Sequence, residues 1–342
     1  MGAETGDTLR ESGRGGPYAA TIRWMENLSE TQFAYLLLVP TFLILGLIAF
    51  WPLLRTFDMA LHADALVGQA NIGGYVGLQN FVELLTGERD ALLVRPLLPD
   101  VVVNGTFPFV HFQNLFVSAI SVTLIFSVVS VAFETIIGFG QALVLDQDFR
   151  GRRWVRVAII IPWAVPIVIQ GMIFYLIFQP GIGFGIEFVN QLPLFSFSNT
   201  PLANPLDSLL IIIVADVWKT SAFMALLILA GLQSIDRSLY SVARVSGASK
   251  WQQFKYITLP LVFPTVMVAM LFRTIAAMRI FGVIVSVSGC NVVPSLSCLV
   301  VTTFSNRMYG TAAAVAFITA AIIGTLVIVY IYYYVVTGQE GI

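Results

Sequence analysis

Long apolar runs dominate this chain, separated by shorter polar segments. About 20 apolar residues suffice to cross a bilayer core. Six runs meet that length, at roughly 33–57, 114–145, 155–178, 207–234, 261–286 and 310–336. The second is long enough to tilt. Pro52 is expected to kink the exit of the first, and Pro162 and Pro166 interrupt the third. The pattern predicts an all-α, polytopic membrane protein with six transmembrane helices. Between the runs lie a long polar segment (58–113), a short basic loop (146–154), a Gly-, Pro- and Asn-rich loop (179–206) and a connection at 287–309 read as partly helical or re-entrant. Residues 1–32 and 337–342 are tails. Residues 1–17 are polar and Gly-rich, unlike a signal peptide. Residues 18–31 are read as a short helix at the membrane surface, with Tyr18 and Trp24 at headgroup level.

One polar stretch, 236–260, carries its own period. Leu239, Val242, Ala243 and Val245 recur at helical spacing, Ser246-Gly247 breaks the pattern, and Trp251, Phe254 and Ile257 follow before Pro260 closes it. The stretch reads as helix, glycine turn, helix. Arg237, Arg244, Lys250 and Lys255 make it basic against Asp236. It is either a docking element for a soluble partner or an ordinary positive loop on the inner side of a membrane.

Composition narrows the function classes. The 342 residues are 58% hydrophobic and 11% charged, against about 25% charged in soluble domains. Two Cys and two His argue against a metal site, and no basic tract suggests nucleic acid. Without a GxxxxGK[ST] loop, ATP hydrolysis is not expected of this chain.

Charge also predicts orientation. Arg10, Arg14 and Arg23, then Arg150, Arg152, Arg153 and Arg156, then Arg237, Arg244, Lys250 and Lys255 make eleven on one side; Arg89, Arg95 and Arg307 make three on the other. The rule that positive loops stay inside places both termini and 236–260 in the cytoplasm. Cys290 and Cys298 then fall on the outer side, where they either close a small disulfide loop or remain two buried thiols.

Glu134, Asp216, Lys219, Arg273 and Arg279 fall within the apolar runs. Such residues are costly in a bilayer and face protein or water. Asp216, Lys219, Thr220 and Arg273, edged by Trp218 and Phe223, suit a polar cavity for a sugar, whose hydroxyls pair with charged groups while an aromatic face covers the ring. The alternative is an Asp216–Lys219 pair that fixes helix packing. Glu134 is assigned to packing, and Arg279 to the interface.

Taken together, the spans and the 236–260 stretch resemble the inner-membrane permease subunits of ABC importers of the carbohydrate-uptake (maltose and glycerol-phosphate) type. The specific motif is the cytoplasmic EAA loop: Ala243, Gly247-Ala248 and Ile257-Thr258-Leu259-Pro260 match it, with PWAVP at 162–166, GLQNF at 77–81 and DVWK at 216–219 as weaker matches. Within the family the chain is most similar to permeases of the mycobacterial trehalose-importer type. The resemblance implies a permease domain over 33–336 in the plasma (inner) membrane, and a non-catalytic subunit without a cofactor of its own. It implies a second permease, two ATP-binding subunits that hold ATP and Mg, and an external sugar-binding lipoprotein. It places Trp163, Asp216, Lys219, Thr220, Phe223 and Arg273 at the sugar, and Ser241, Arg244, Gly247, Ala248, Trp251 and Phe254 at the ATPase. The family's Glu is Ser241 here, so the contact chemistry of the loop differs from the usual one. The competing class is an ion-coupled secondary transporter or channel.

Overall fold

A computed structural model describes residues 27–65, 72–103, 110–193 and 196–339. The tail through residue 26, with most of the expected surface helix, and residues 340–342 lie outside the described residues. The chain comprises two units, Met1–Asp58 and Met59–Ile342.

Helix α1 (Glu30–Ala60) contains the first apolar run. It starts at Ser29, whose hydroxyl accepts from Gln32 N while the Gln32 side chain accepts from Ser29 N, a reciprocal capping box. A π-helical segment, Gly46–Phe50, lies just before Pro52. The wider turn accommodates the ring and the missing N–H, so the helix passes through the proline.

The second unit opens with a polar segment that is more structured than expected. It holds α2 (Gln79–Thr86) and an antiparallel pair, β1 (Asp100–Val103) and β2 (Val110–Gln113), with Asp100 opposite Gln113 and Val103 opposite Val110. This short strand pair is a small addition to an otherwise helical chain, whose all-α class stands. Asn80 is buried and donates to the carbonyls of Ala60 and His62 at 2.7 Å each.

The membrane helices follow: α3 (Ala119–Asp146), α4 (Arg152–Ala164), α5 (Ile167–Phe178), a short α6 (Gly185–Asn190) and α7 (Pro205–Gln233). After them come α8 (Arg237–Val245), α9 (Lys250–Met278), α10 (Gly282–Val287), α11 (Leu296–Ser305) and α12 (Tyr309–Gln339). Among the described residues, α1, α3, α7, α9 and α12 are each long and apolar enough to cross a membrane. The expected third span is a pair, α4 and α5, bent by 92° at Val165–Pro166; counted as one, it makes six.

Helices α3 and α7 pack along their lengths, with α9 against both. Small residues permit this. A Cβ on Gly138 of α3 would come within 2.6 Å of Met224 Cβ on α7, and one on Gly231 of α7 within 2.8 Å of Thr265 Cβ on α9. Close backbone approach at small residues is the usual basis of helix association where lipid removes the hydrophobic drive. Cys290, in the turn after α10, and Cys298 of α11 form a disulfide, with Cα atoms 5.5 Å apart.

Two boundaries differ from expectation. The fifth helix does not start after Pro260. It begins at Lys250, passes a π-helical segment at Phe254–Thr258 and runs to Met278. The expected span to residue 286 ends early, because α10 is a separate helix.

Candidate functional site

Two places on the second unit carry chemistry, and α9 contains parts of both.

The first is in the apolar interior. Arg273 of α9 donates through Nε and Nη2 to the Glu134 carboxylate of α3, the Nη2–Oε1 distance being 2.9 Å, and Nη2 also donates to Asp216 of α7. Glu134 is fully buried, and Asp216 and Arg273 nearly so. One guanidinium thus ties three helices together. Its planar fork suits two carboxylates better than an ammonium would. Lys219, one turn from Asp216, brings the four charges to neutrality. Its Nζ does not bond Asp216; it donates to the Val165 carbonyl at 2.7 Å.

That carbonyl lies at the 92° break between α4 and α5. A chain break inside a membrane leaves backbone groups without helical partners, and they must be met by protein or water. Lys219 meets this one. Gln170, fully buried on α5, donates to the Ala215 carbonyl at 2.7 Å and so ties the same break to α7. Gly171 allows the approach of α10: a Cβ there would lie 2.2 Å from Ser286 Cβ.

The six expected sugar residues therefore separate into two sets. Asp216 and Arg273 are buried, and Arg273 is engaged with both Asp216 and Glu134. Trp163 is exposed just before the break, and Lys219, Thr220 and Phe223 are half-buried on α7. Thr220 donates to the Asp216 carbonyl at 2.6 Å. Glu134, which the sequence alone places among packing residues, is an ion-pair partner of Arg273. A lone carboxylate in an apolar run requires a partner, and that signal was available; which of two distant arginines supplies it was not.

The second place is the hairpin of α8 and the first turns of α9. Asp236 caps α8 by accepting from Ser238 N at 2.8 Å. The helix ends in a Schellman turn: Gly247 N donates to Arg244 O at 3.0 Å, and Ala248 N to Ala243 O at 2.9 Å. Gly247 has φ +82°, a left-handed conformation that glycine adopts without strain. Ser249 and Gln252 then form a second capping box. Tyr240 and Thr258 hydroxyls meet at 2.9 Å and close the hairpin. Phe254 stacks on Trp251 (centroids 5.5 Å apart) and meets Phe139 of α3 edge-on at 5.9 Å. Arg237 forms a bidentate pair with Asp146 at the end of α3, at 2.9 and 2.6 Å, and this hydrogen bonding pushes its pKa further up. Among the described residues, Arg244 reaches only local acceptors, the Tyr240 carbonyl and Ser241 Oγ, at 3.3 Å each. Val242, Val245 and Trp251 are 66%, 92% and 70% exposed, an apolar crest with basic flanks.

A polar hairpin continuous with a membrane helix, and a buried charge cluster beside a broken span, are thus the two polar features of the second unit. Residues 134–339 match the family described as the binding-protein-dependent transport system inner membrane component. The chain belongs to this family. The match covers both the triad and the hairpin of this permease. It is 32% identical over 313 residues to the trehalose/maltose transport system permease protein MalF of Thermococcus litoralis, covering 88% of this chain and 93% of that one. It is 30% identical over 273 residues to the trehalose transport system permease protein SugA of Mycobacterium tuberculosis, with 80% and 78% covered. Against the sulfoquinovosyl glycerol transport system permease protein SmoG of Agrobacterium fabrum it is 31% identical over 262 residues, with 76% and 75% covered. The fold is that of a solved bacterial ABC transporter involved in import of the polysaccharide alginate, at TM-score 0.65, 20% identity, and 91% and 98% coverage. The permease is thus a multi-pass inner-membrane subunit of a carbohydrate ABC importer.

Proposed function

We propose that this permease forms half of the translocation path for a disaccharide such as trehalose, paired with a second permease. Two ATP-binding subunits holding ATP and Mg, and an external sugar-binding lipoprotein, complete the complex. The observation that carries the reading is the break at Val165–Pro166, held by Lys219 beside the triad. Broken membrane helices offer backbone groups and half-exposed side chains to a substrate near the bilayer midplane. Trp163 supplies an aromatic face to the sugar ring, and Lys219, Thr220 and Phe223 line its path. Asp216, Arg273 and Glu134 hold the wall behind them. One guanidinium occupies both carboxylates, which favours this reading over a proton or ion relay.

Coupling runs through α9. Trp251 and Arg273 are about 33 Å apart along one helix, at about 1.5 Å per residue. Closure of the ATPase subunits on the hairpin then moves Arg273 together with the helices it ties, and different affinity of ATP for the two states biases the permease between inward- and outward-facing forms. Docking rests on the apolar crest and on Arg244, in place of a carboxylate at Ser241. The hairpin and both termini face the cytoplasm.

The test is trehalose uptake by the reconstituted complex. Uptake that requires ATP and the binding protein is expected; uptake by this chain alone would refute the proposal.

A further inference from the structure

Two adjoining clefts lie at the end of the bundle opposite the hairpin. Chain connectivity places them there: their walls come from the end of α5, the loop before α7, and the segment after α9, whereas the hairpin joins the other ends of α7 and α9. The first cleft, of about 550 Å³, is lined by Tyr175, Gln179, Thr200 and Ser288 among apolar neighbours. The second, of about 480 Å³, shares Pro180 with it and presents Gln191, Asn199, Asn190 and the Glu187 carboxylate. Volumes of this size hold small-molecule ligands.

The chemistry of the walls is specific. Among the described residues, the side chains of Tyr175, Gln179, Thr200, Ser288, Gln191 and Asn199 make no hydrogen bond, whereas Asn190 bonds the Phe197 backbone and Ser286 the Gly282 carbonyl. Ser288 Oγ is buried without a partner, which is costly unless a ligand or water supplies one. Hydroxyls and amides both donate and accept, as sugar hydroxyls do. Tyr175 adds an aromatic face, 38% exposed. The loop 179–206, which builds much of both clefts, has no Lys or Arg, so the walls suit a neutral ligand better than a phosphate or an acidic sugar.

We infer that these clefts form a second saccharide station, which receives a neutral sugar at the mouth of the permease before it reaches the break at Val165. The inference rests on the sugar-importer reading above. The station holds the sugar through hydroxyl and amide hydrogen bonds and one aromatic face, with the Glu187 carboxylate as a further acceptor that disfavours anionic ligands.

The test uses trehalose carrying a diazirine, photolysed with the complete transporter and mapped by mass spectrometry. Label is expected on peptides spanning 175–203 and 285–292, and an excess of unlabelled trehalose should remove it. Label confined to peptides bearing Trp163 and Lys219 would overturn the station while leaving the translocation reading intact. Label that unlabelled trehalose does not displace would also overturn it. Failure of the wild-type complex to import trehalose would count against the function itself. The combined variant Gln179→Leu, Thr200→Val, Ser288→Ala should lower labelling of the clefts about tenfold, the loss expected from several hydrogen bonds, with ATP hydrolysis stimulated by the loaded binding protein unchanged. Loss of that stimulation would identify the surface as a protein-docking site and overturn the proposal.

Discussion

Arg273 brings a charge into an apolar helix and meets two carboxylates from two other helices there. Removing one partner of a buried ionic group leaves the rest uncompensated and costs about 3–5 kcal/mol. Arg273→Met should therefore lower the thermal unfolding temperature of the detergent-solubilised protein strongly. Adding Glu134→Gln and Asp216→Asn should recover much of the loss; a triple variant no more stable than the single one would contradict the charge argument. Asp216, Lys219 and Arg273 were recognisable in the sequence as a cluster because each is anomalous in an apolar run. Their pairing was not recognisable, since spacing along one helix says nothing about a neighbour 139 positions away. A second ionic group lies outside the membrane helices. Arg89 bonds Glu83 at 2.5 Å and Asp64 at 2.9 Å, and Asp64 accepts from Thr311 N at 3.0 Å at the start of α12. Hydrogen bonding from Arg89, and then from Gln79, holds the Glu83 pKa below the usual carboxylate value. A lowered acid pKa stabilises the fold above the unfolded value of about 4.3 and loses that contribution as pH falls through the folded value. Hydrogen exchange around α2 should thus accelerate, relative to the protein's intrinsic rates, as pH drops below about 4, and Glu83→Gln should remove that dependence.

At the scale of elements, the second arm of the hairpin is the first turns of α9, one continuous helix from Lys250 to Met278. The helix–glycine–helix pattern and the Gly247 turn were legible in the sequence, because left-handed glycine between two apolar periods has few other readings. The continuity of α9 was not: Pro260 looks like a stop, and the π-helical turn at Phe254–Thr258 that lets the helix through has no sequence signature of its own. The same arrangement recurs in α1 ahead of Pro52. The break at Val165–Pro166 was visible in its prolines, but its 92° angle depends on Gln170, Gly171 and Lys219 meeting other helices. Gly247 supplies the sharpest element-level test. A Cβ there meets nothing within 4 Å, so Gly247→Ala costs only the left-handed conformation, about 1–2 kcal/mol. Proline cannot adopt φ +82°. Gly247→Ala should therefore retain coupled transport, whereas Gly247→Pro should leave ATP hydrolysis by the complex uncoupled from sugar uptake. Normal coupling in the proline variant would remove the hairpin from the mechanism.

For the whole molecule, the direction of insertion decides whether the hairpin can reach ATP-binding subunits at all. The charge asymmetry, eleven Lys and Arg against three, predicts that it does. The short loops carry most of this signal: four basic residues in 146–156 and four in 236–260 oppose none in 179–206. The protein's own cysteines make orientation straightforward to measure, since both are in the Cys290–Cys298 disulfide and leave no thiol to react. A cysteine introduced at Ser246, exposed on the hairpin, would be the one reactive thiol; one at Glu187, exposed in the opposite loop, reports the other face. A membrane-impermeant maleimide should label Glu187→Cys in right-side-out vesicles and Ser246→Cys only in inverted ones. The reverse pattern would place the hairpin away from ATP and the paired clefts in the cytoplasm, and would overturn both the coupling route and the order in which a sugar meets the two sites. Labelling of both variants from their assigned sides would place the clefts on the outer face and the hairpin on the side of ATP, as the proposed order requires.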